Sequence, residues 1–200
     1  GGFAAGNNAA IAPALKDEHP PQYIYMLNPD TIVLPDALRE LVKFMDSRPE
    51  VGIAGGRSLN AEGGVITSAF RFHTIFSEFE NSIRLGLVSK LLKKYIVAPP
   101  AVDQPIQTDW VSGASMMVRR EVFDTVGLMD DRYFLYFEET DFCLRVRRAG
   151  WPIWHVPASR VVHLEGQSTG VTGANLAKKR RPAYWFDVAV VMTFLMLGQL

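Results

Sequence analysis

Short apolar, β-branched and aromatic runs alternate with stretches of helical periodicity through the first two-thirds of the chain. That alternation restricts the fold more than any single residue does, because strands separated by covering helices favour a largely parallel sheet with helices on its faces. Residues 9–18 read as a short helix, Pro20-Pro21 breaks it, and Tyr23-Ile24-Tyr25-Met26-Leu27 reads as a buried strand. Pro35 suits the first turn of a second helix, with Leu38, Leu41, Val42 and Met45 at helical spacing before Pro49. Strands are expected at 51–55 and 65–70, the second after the turn Ala61-Glu62-Gly63-Gly64, and a third at 110–118 interrupted by Gly113. A short helix at 119–126 stops at Gly127, a longer one at 138–149 stops at Gly150, and strands follow at 151–156 and 160–164. Residues 72–107, helical in pattern from 75 to 95 and then broken by Pro99-Pro100, form a longer connection than most and suggest a substrate lid or acceptor-binding segment.

Two hundred residues, 48% of them hydrophobic, suffice for one α/β domain with a substantial core. Lys and Arg number 21 against 21 Asp and Glu, which argues against a sequence-wide grip on nucleic acid. The single cysteine, Cys143, excludes an intrachain disulfide or a multi-cysteine zinc site, fits a reducing, cytoplasmic setting, and reads as a small buried residue. The start, Gly1-Gly2-Phe3-Ala4-Ala5-Gly6-Asn7-Asn8, lacks an initiator Met and the pattern of a secretion signal, so the chain is expected to begin inside a larger protein. Residues 1–187 read as one partial domain and 188–200 as a separate apolar segment, short of the roughly 20 residues of a membrane span. That segment reads as a cut span, an interfacial helix or a buried one, and brings peripheral membrane contact into view.

Three places could carry chemistry. The strand at 23–27 delivers Asn28-Pro29-Asp30-Thr31 to its carboxyl end, where ligands of open α/β sheets bind. Asp30 could hold a divalent cation there, although the tetrapeptide is also ordinary turn chemistry. Glu138-Glu139-Thr140-Asp141 places three carboxylates at a helix start. Helical geometry puts Glu138, Asp141 and Arg145 on one face, with Asp141 and Arg145 at ion-pair spacing, and leaves Glu139 pointing elsewhere and free to take a proton. Acidic residues also enrich first helical turns generally, but here an aromatic run precedes them. His163, at a strand end, could complete a metal site; His19, His73 and His155 read as packed residues. Trp110 and Trp151 could stack on sugar rings, with core packing the commoner role for each.

In order along the chain these segments resemble the family 2 glycosyltransferases, in particular their bacterial rhamnosyltransferase-like branch, over nearly the whole length to about Phe186. The resemblance is carried by Gly2-Phe3-Ala4-Ala5-Gly6-Asn7-Asn8, Leu27-Asn28-Pro29-Asp30-Thr31, Asp109-Trp110-Val111-Ser112-Gly113-Ala114 with Val118-Arg119-Arg120, and Tyr136-Phe137-Glu138-Glu139-Thr140-Asp141-Phe142-Cys143-Leu144-Arg145 with Gly150-Trp151. It implies a Rossmann-like nucleotide-diphospho-sugar transferase fold, mostly parallel and incomplete at its N-terminus. It also implies an inverting transfer of a sugar such as rhamnose from a nucleotide diphosphate donor to a glycan or lipid-linked acceptor of the cell envelope, at the inner face of the membrane. Asp30 with His163 would bind Mg²⁺ or Mn²⁺. Asn7, Asn28 and Asp30 would contact the donor, Trp110, Gly113, Ala114 and Arg145 the substrate, and Glu139, helped by Glu138 and Asp141, would be the base.

The family's pattern is not matched everywhere. Asn28 replaces the first acid of the general Asp-x-Asp motif, Glu139 stands where many relatives have Asp, and the family's first nucleotide-binding strands are not found before Gly1. Two rival readings remain: an inactive glycan- or partner-binding fragment of the same fold, and a metal-dependent nucleotidyltransferase, which the acidic motif disfavours.

Overall fold

In the computed structural model, which describes residues 2–74, 96–133 and 137–164, the first element is helix α1, Phe3–Leu15. Its alanines favour helix strongly enough to carry Gly6 and both asparagines, and Ala4 and Ile11, two turns apart, bury one stripe. The glycine-asparagine start is therefore helical, and the helix expected at 9–18 begins earlier and ends sooner.

Strands β1 (Tyr23–Leu27) and β2 (Thr31–Val33) precede helix α2 (Ala37–Asp46), and β3 (Ile53–Leu59), β4 (Val65–Ile66) and β5 (Ala69–Phe70) follow. Then come β6 (Ile106–Thr108), β7 (Trp110–Val111), β8 (Ser115–Arg119), helix α3 (Arg120–Val126), helix α4 (Glu138–Arg148) and β9 (Ile153–His163). The main sheet runs β1-β8-β3-β9-β2, with β4 on β3 and β6 on β9, while β5 and β7 form a separate pair.

The sheet among the described residues is mixed, against the mostly parallel sheet expected. Only β3 and β9 pair in parallel; β1/β8, β3/β8, β2/β9 and β6/β9 are antiparallel. The physical reason is insertion. Strands β1, β3 and β9 do run the same way, as alternation with helices requires, but β8 arrives late in the chain and slots antiparallel between β1 and β3.

Three further expectations shift. The strand read at 110–118 splits into β7 and β8 at a turn through Gly113. The two strands read at 151–156 and 160–164 are one, β9, whose register to β3 jumps from Gly56↔Val156 to Arg57↔Arg160. Residues 157–159 bulge out there, which is where a sheet tolerates Pro157. In α2 the buried residues are Ala37, Leu41, Phe44 and Met45, while Leu38 faces outward at 46% exposure. The helical pattern expected at 75–95 and the apolar segment 188–200 lie outside the described residues.

The core has two parts. One packs Ile11, Met26, Val111, Met116, Val122, Phe142 and Ile153 between the sheet and α1, α3 and α4. The other packs Leu41, Phe44, Met45, Val51, Met117 and Val156 between the sheet and α2. Arg119 spans the second, donating to the carbonyls of Val51 (2.8 Å) and Met45 (2.8 Å), so its buried charge is hydrogen-bonded. Among the described residues, no helix is long and apolar enough to cross a membrane.

Candidate active site

The first corner of the site is built by strand ends. Because β1, β3 and β9 share a direction, Leu27, Leu59 and His163 lie at one end of the sheet, and β8 starts there at Ser115, opposite Leu27. Residues 28–30 cross that end, since Leu27 pairs with β8 while Thr31 pairs with His163. A turn closes them: the Thr31 amide donates to the Asn28 carbonyl (3.1 Å), with Pro29 in the position its fixed φ favours. The Leu164 amide then ties down the Asp30 carbonyl at 3.0 Å. Asp30 is thus a turn residue at the end of the sheet where β1, β3 and β9 finish.

This turn brings together side chains 133 or more residues apart in sequence. Asp30 Oδ1 lies 3.2 Å from His163 Nε2, and Asn28 Nδ2 lies 3.3 Å from the same nitrogen. The Asp30 side chain is 9% exposed and that of His163 16%, while the Thr31 hydroxyl is buried with no partner among the described residues. A carboxylate, an imidazole and an amide form a donor set that suits Mn²⁺ and admits Mg²⁺. Among the described residues, no three or more His, Cys, Asp or Glu side chains are placed to hold a metal ion together. Two protein ligands fit an ion that leaves its remaining positions to phosphate and water.

The second corner is built by α4. Its N-terminus carries Glu138, Glu139 and Asp141 and its last turn Arg145, Arg147 and Arg148, each sign at the pole the helix dipole favours. The helix divides its side chains between two neighbours. Glu139 and Cys143, four residues apart, face the β7–β8 turn: Glu139 accepts a hydrogen bond from the Gly113 amide, and the Cys143 thiol sits against the Val111 backbone. Burial pushes that thiol up to about 12, which makes it inert packing.

Asp141 and Arg145 face the other way. Arg145 Nε donates to Asp141 Oδ2 at 2.9 Å, and its terminal nitrogens donate to the carbonyls of Val126 (2.7 Å) and Leu128 (3.0 Å). The guanidinium is thereby occupied in fastening α4 to the loop after α3. These bonds position the helix.

Glu138 and Glu139 share an unusual environment. Glu138 is 3% exposed, and Oε2 of each carboxylate is buried without a partner among the described residues. Desolvation, reinforced by the charge of Glu139, pushes Glu138 up to about 8; desolvation also raises Glu139, partly offset by hydrogen bonds from its own and the Gly113 amides. Both sit at the same sheet end as Asp30, because Gly113 lies two residues before Ser115, which pairs with Leu27.

The remaining expected site residues are placed as follows. Asn7 donates to the Phe3 carbonyl (2.9 Å) inside α1, so its amide serves the helix, where a glycine-asparagine loop would have offered it to a donor. Trp110 stacks on Phe70, 4.1 Å between centroids, and donates to the Arg71 carbonyl at 3.2 Å. One ring face and its N–H are therefore used, and packing dominates its role. Ala114 is fully buried. Gly113 is needed for space: a Cβ there would come 2.9 Å from the Phe3 ring.

Sequence reasoning missed Asn8. Its side chain both donates to the Met129 carbonyl (2.8 Å) and accepts from the Met129 amide (3.2 Å), fixing α1 to the loop that leads to the acidic residues. A repeated Asn in a helical stretch was the available signal. It missed Asp109 too, which receives the Phe72 amide at 2.9 Å and lies 3.9 Å from Arg147.

A mixed sheet with helices on both faces fits the nucleotide-sugar transferase fold. Fold comparison agrees: GalNAc-T7, solved with UDP, GalNAc and Mn²⁺, superposes with a TM-score of 0.53 over 82% of this chain and 31% of that one, at 16% identity. The chain belongs to the glycosyl transferase family group 2, whose profile matches residues 23–196. Curated relatives include the rhamnosyltransferase WbbL of Escherichia coli, 31% identical over 81% of this chain and 60% of its own length. Another is the N-acetylglucosaminyl-diphospho-decaprenol L-rhamnosyltransferase of Mycobacterium tuberculosis, 28% identical over 82% of this chain and 54% of its own length. The chain thus spans a little over half the length of these relatives.

Proposed function

We propose that the protein is an inverting, divalent-metal-dependent glycosyltransferase. In this reading it moves a sugar such as rhamnose from a nucleotide diphosphate to a hydroxyl of a lipid-linked cell-envelope glycan, at the cytoplasmic face of the membrane. The observation that carries this reading is the pairing of two unlike acid sites at one sheet end. Asp30 lies 3.2 Å from the His163 imidazole, whereas Glu139 is desolvated and its carboxyl raised. The rhamnosyl character and the lipid-linked acceptor rest on the names of the relatives.

Asp30 and His163 would hold the ion, with the Asn28 amide beside them. When bound, the ion supplies neutralisation of the charge developing on the departing diphosphate. Glu139 accepts the acceptor's hydroxyl proton as that oxygen bonds to the anomeric carbon from the face opposite the diphosphate. The bond from that carbon to the diphosphate oxygen breaks, so configuration inverts through an oxocarbenium-like state. A desolvated carboxylate is a stronger base than one in water. Gly113 N–H keeps the accepting carboxylate aimed, and the Asp141–Arg145 pair keeps the helix in place.

The test is transfer of label from a panel of nucleotide-diphosphate sugars, an activated rhamnose among them, to a polyprenyl-diphosphate-linked GlcNAc with Mn²⁺ present. Expected are a product of inverted anomeric configuration by NMR and loss of transfer with EDTA. Donor binding without turnover under every condition, unchanged in Asp30→Ala and Glu139→Gln, would favour the inactive binding fragment and overturn the proposal.

A further inference from the structure

We propose that Gly56 is a positioning residue for the site: the space left by its missing side chain seats the β9 bulge, and the bulge sets where His163 meets Asp30. The use of that meeting to hold an ion rests on the proposed reaction; the positioning does not.

Strand β9 changes partners along the side away from β3. Residues 153–155 pair with β6 and residues 161–163 with β2, while β3 runs beside both stretches. The handover falls at the bulge, where the register to β3 jumps from Gly56↔Val156 to Arg57↔Arg160 and leaves residues 157–159 without a partner on β3. A strand advances about 3.3 Å per residue, so absorbing these residues draws the end of β9 back by roughly 10 Å. Run straight on from Val156, the same sequence would place Pro157 opposite Arg57 and carry His163 to the level of the turn at Gly63. The number absorbed is also odd. Successive strand residues face opposite sides, so the straight strand would turn His163 to the other face of the sheet. The bulge therefore corrects distance and side together. Beyond it the chain is fixed, since the Leu34 amide donates to the Arg160 carbonyl (3.2 Å) and the Leu164 amide to the Asp30 carbonyl (3.0 Å).

The bulge packs inward. Pro157 is buried, and having no N–H it leaves no ladder donor idle, while Ser159 is fully buried. Ser159 lies on Gly56: a Cβ there would come 2.8 Å from the Ser159 hydroxyl oxygen, 3.2 Å from the Ser159 carbonyl oxygen and 2.7 Å from Ser115 Oγ. Gly56 is not among the residues of positive φ, so what the position demands of glycine is room. The second neighbour matters as much. Ser115 is the residue of β8 opposite Leu27, and its hydroxyl lies 3.0 Å from that of Tyr25 on β1, the strand that leads into Asn28 and Asp30. Gly56 thus borders, at one point, the strand that brings His163 and the strand paired to the one that brings Asp30.

The test titrates Mn²⁺ alone and reads paramagnetic broadening of isotope-labelled histidine rings by NMR, with His163→Gln to assign the His163 signal. In the wild type that signal should broaden at lower Mn²⁺ than those of His19, His73 and His155. In Gly56→Ala the Mn²⁺ needed should rise about tenfold or more, as when a group that orients a metal ligand is disturbed. Gly56→Ala/Ser115→Ala/Ser159→Ala trades two hydroxyls for the added methyl and should recover most of that loss; a loss from general destabilisation would deepen instead, because the Tyr25 contact goes too. Should Gly56→Ala fail to fold, Ser159→Val crowds the same point from β9 and takes its place. A wild-type Mn²⁺ response in the folded variant would overturn the inference. The position of β9 is also read without metal, by disulfide formation in Ile32→Cys/Val162→Cys, a directly opposed pair. Oxidation should slow when Gly56→Ala is added, and an unchanged rate would again overturn the inference. A wild-type His163 signal that ignores Mn²⁺, with cross-linking still sensitive to Gly56, would sink the metal reading and leave the positioning standing.

Discussion

Asp30 and Glu139 are both carboxylates at one end of one sheet, yet the protein treats them in opposite ways. Asp30 sits in a closed turn, 3.2 Å from an imidazole that also meets an amide, while Glu139 is left beside a second acid with one oxygen sealed and unpartnered. Surroundings, more than residue type, set the two acids apart. The polar corner is held by backbone that the strands fix. The apolar corner is held by a helix that Arg145 and Gly113 fix from two sides.

This contrast can be broken most forcefully at Glu139. Glu139→Gln keeps the shape and removes the basicity, so kcat should fall by ~10²–10⁴ with donor affinity unchanged, read by steady-state kinetics beside nucleotide binding. Equal losses in kcat and binding would make Glu139 a substrate ligand. Asp30→Ala should lose about 10²-fold or more in turnover, on the order of one strong charge contact in a transition state, and should also lose the Mn²⁺ dependence of nucleotide binding seen by calorimetry. Turnover and metal response like wild type would place the ion elsewhere.

A smaller effect sharpens the same comparison through pH. Glu138 is raised from 4.5 to about 8 chiefly by burial, so the folded state holds its proton more tightly than the unfolded state does. The resulting stability is fully present below the unfolded value and is lost as pH rises through about 8. The Tm should therefore drop across that window, and Glu138→Gln should flatten the drop and stabilise the protein at its alkaline end. A Tm profile identical in the variant would mean the acid pair is solvated. The smallest effect is expected at Asn8, where Asn8→Ala removes two hydrogen bonds to Met129 and should cost about 1–2 kcal/mol in urea unfolding.

The shared direction of β1, β3 and β9 was legible in sequence because alternation with helices dictates it, but that β2, β6 and β8 run against them was not. Nothing in Ser115–Arg119 says that it will insert between two earlier strands, since that choice is made by long-range pairing. The amino-terminal stretch misled for a local reason: glycine and asparagine spoke for a loop while six alanines between Ala4 and Ala14 spoke for a helix, and the alanines prevailed. The turn at Asn28 and the acidic helix start stood out because both obey short-range rules. Their meeting point was harder, since it depends on a strand that carries His163 back to the same end. The outward face of Leu38 could not be read either, because helical spacing marks two apolar stripes in α2 and only packing selects one.

Helix α4 has a consequence for how this protein can change over generations. One rigid rod carries Glu139, the proposed proton acceptor, a core residue one turn later at Cys143, and the guanidinium latch two residues beyond that. A bulkier neighbour at Cys143 would lever the rod and move Glu139 with it, so drift in the interior becomes drift in acidity. Lineages that keep the reaction are thereby steered to diversify in the loops around the rod, and the stripe facing Val111 and Gly113 should be the slowest-evolving surface of the domain.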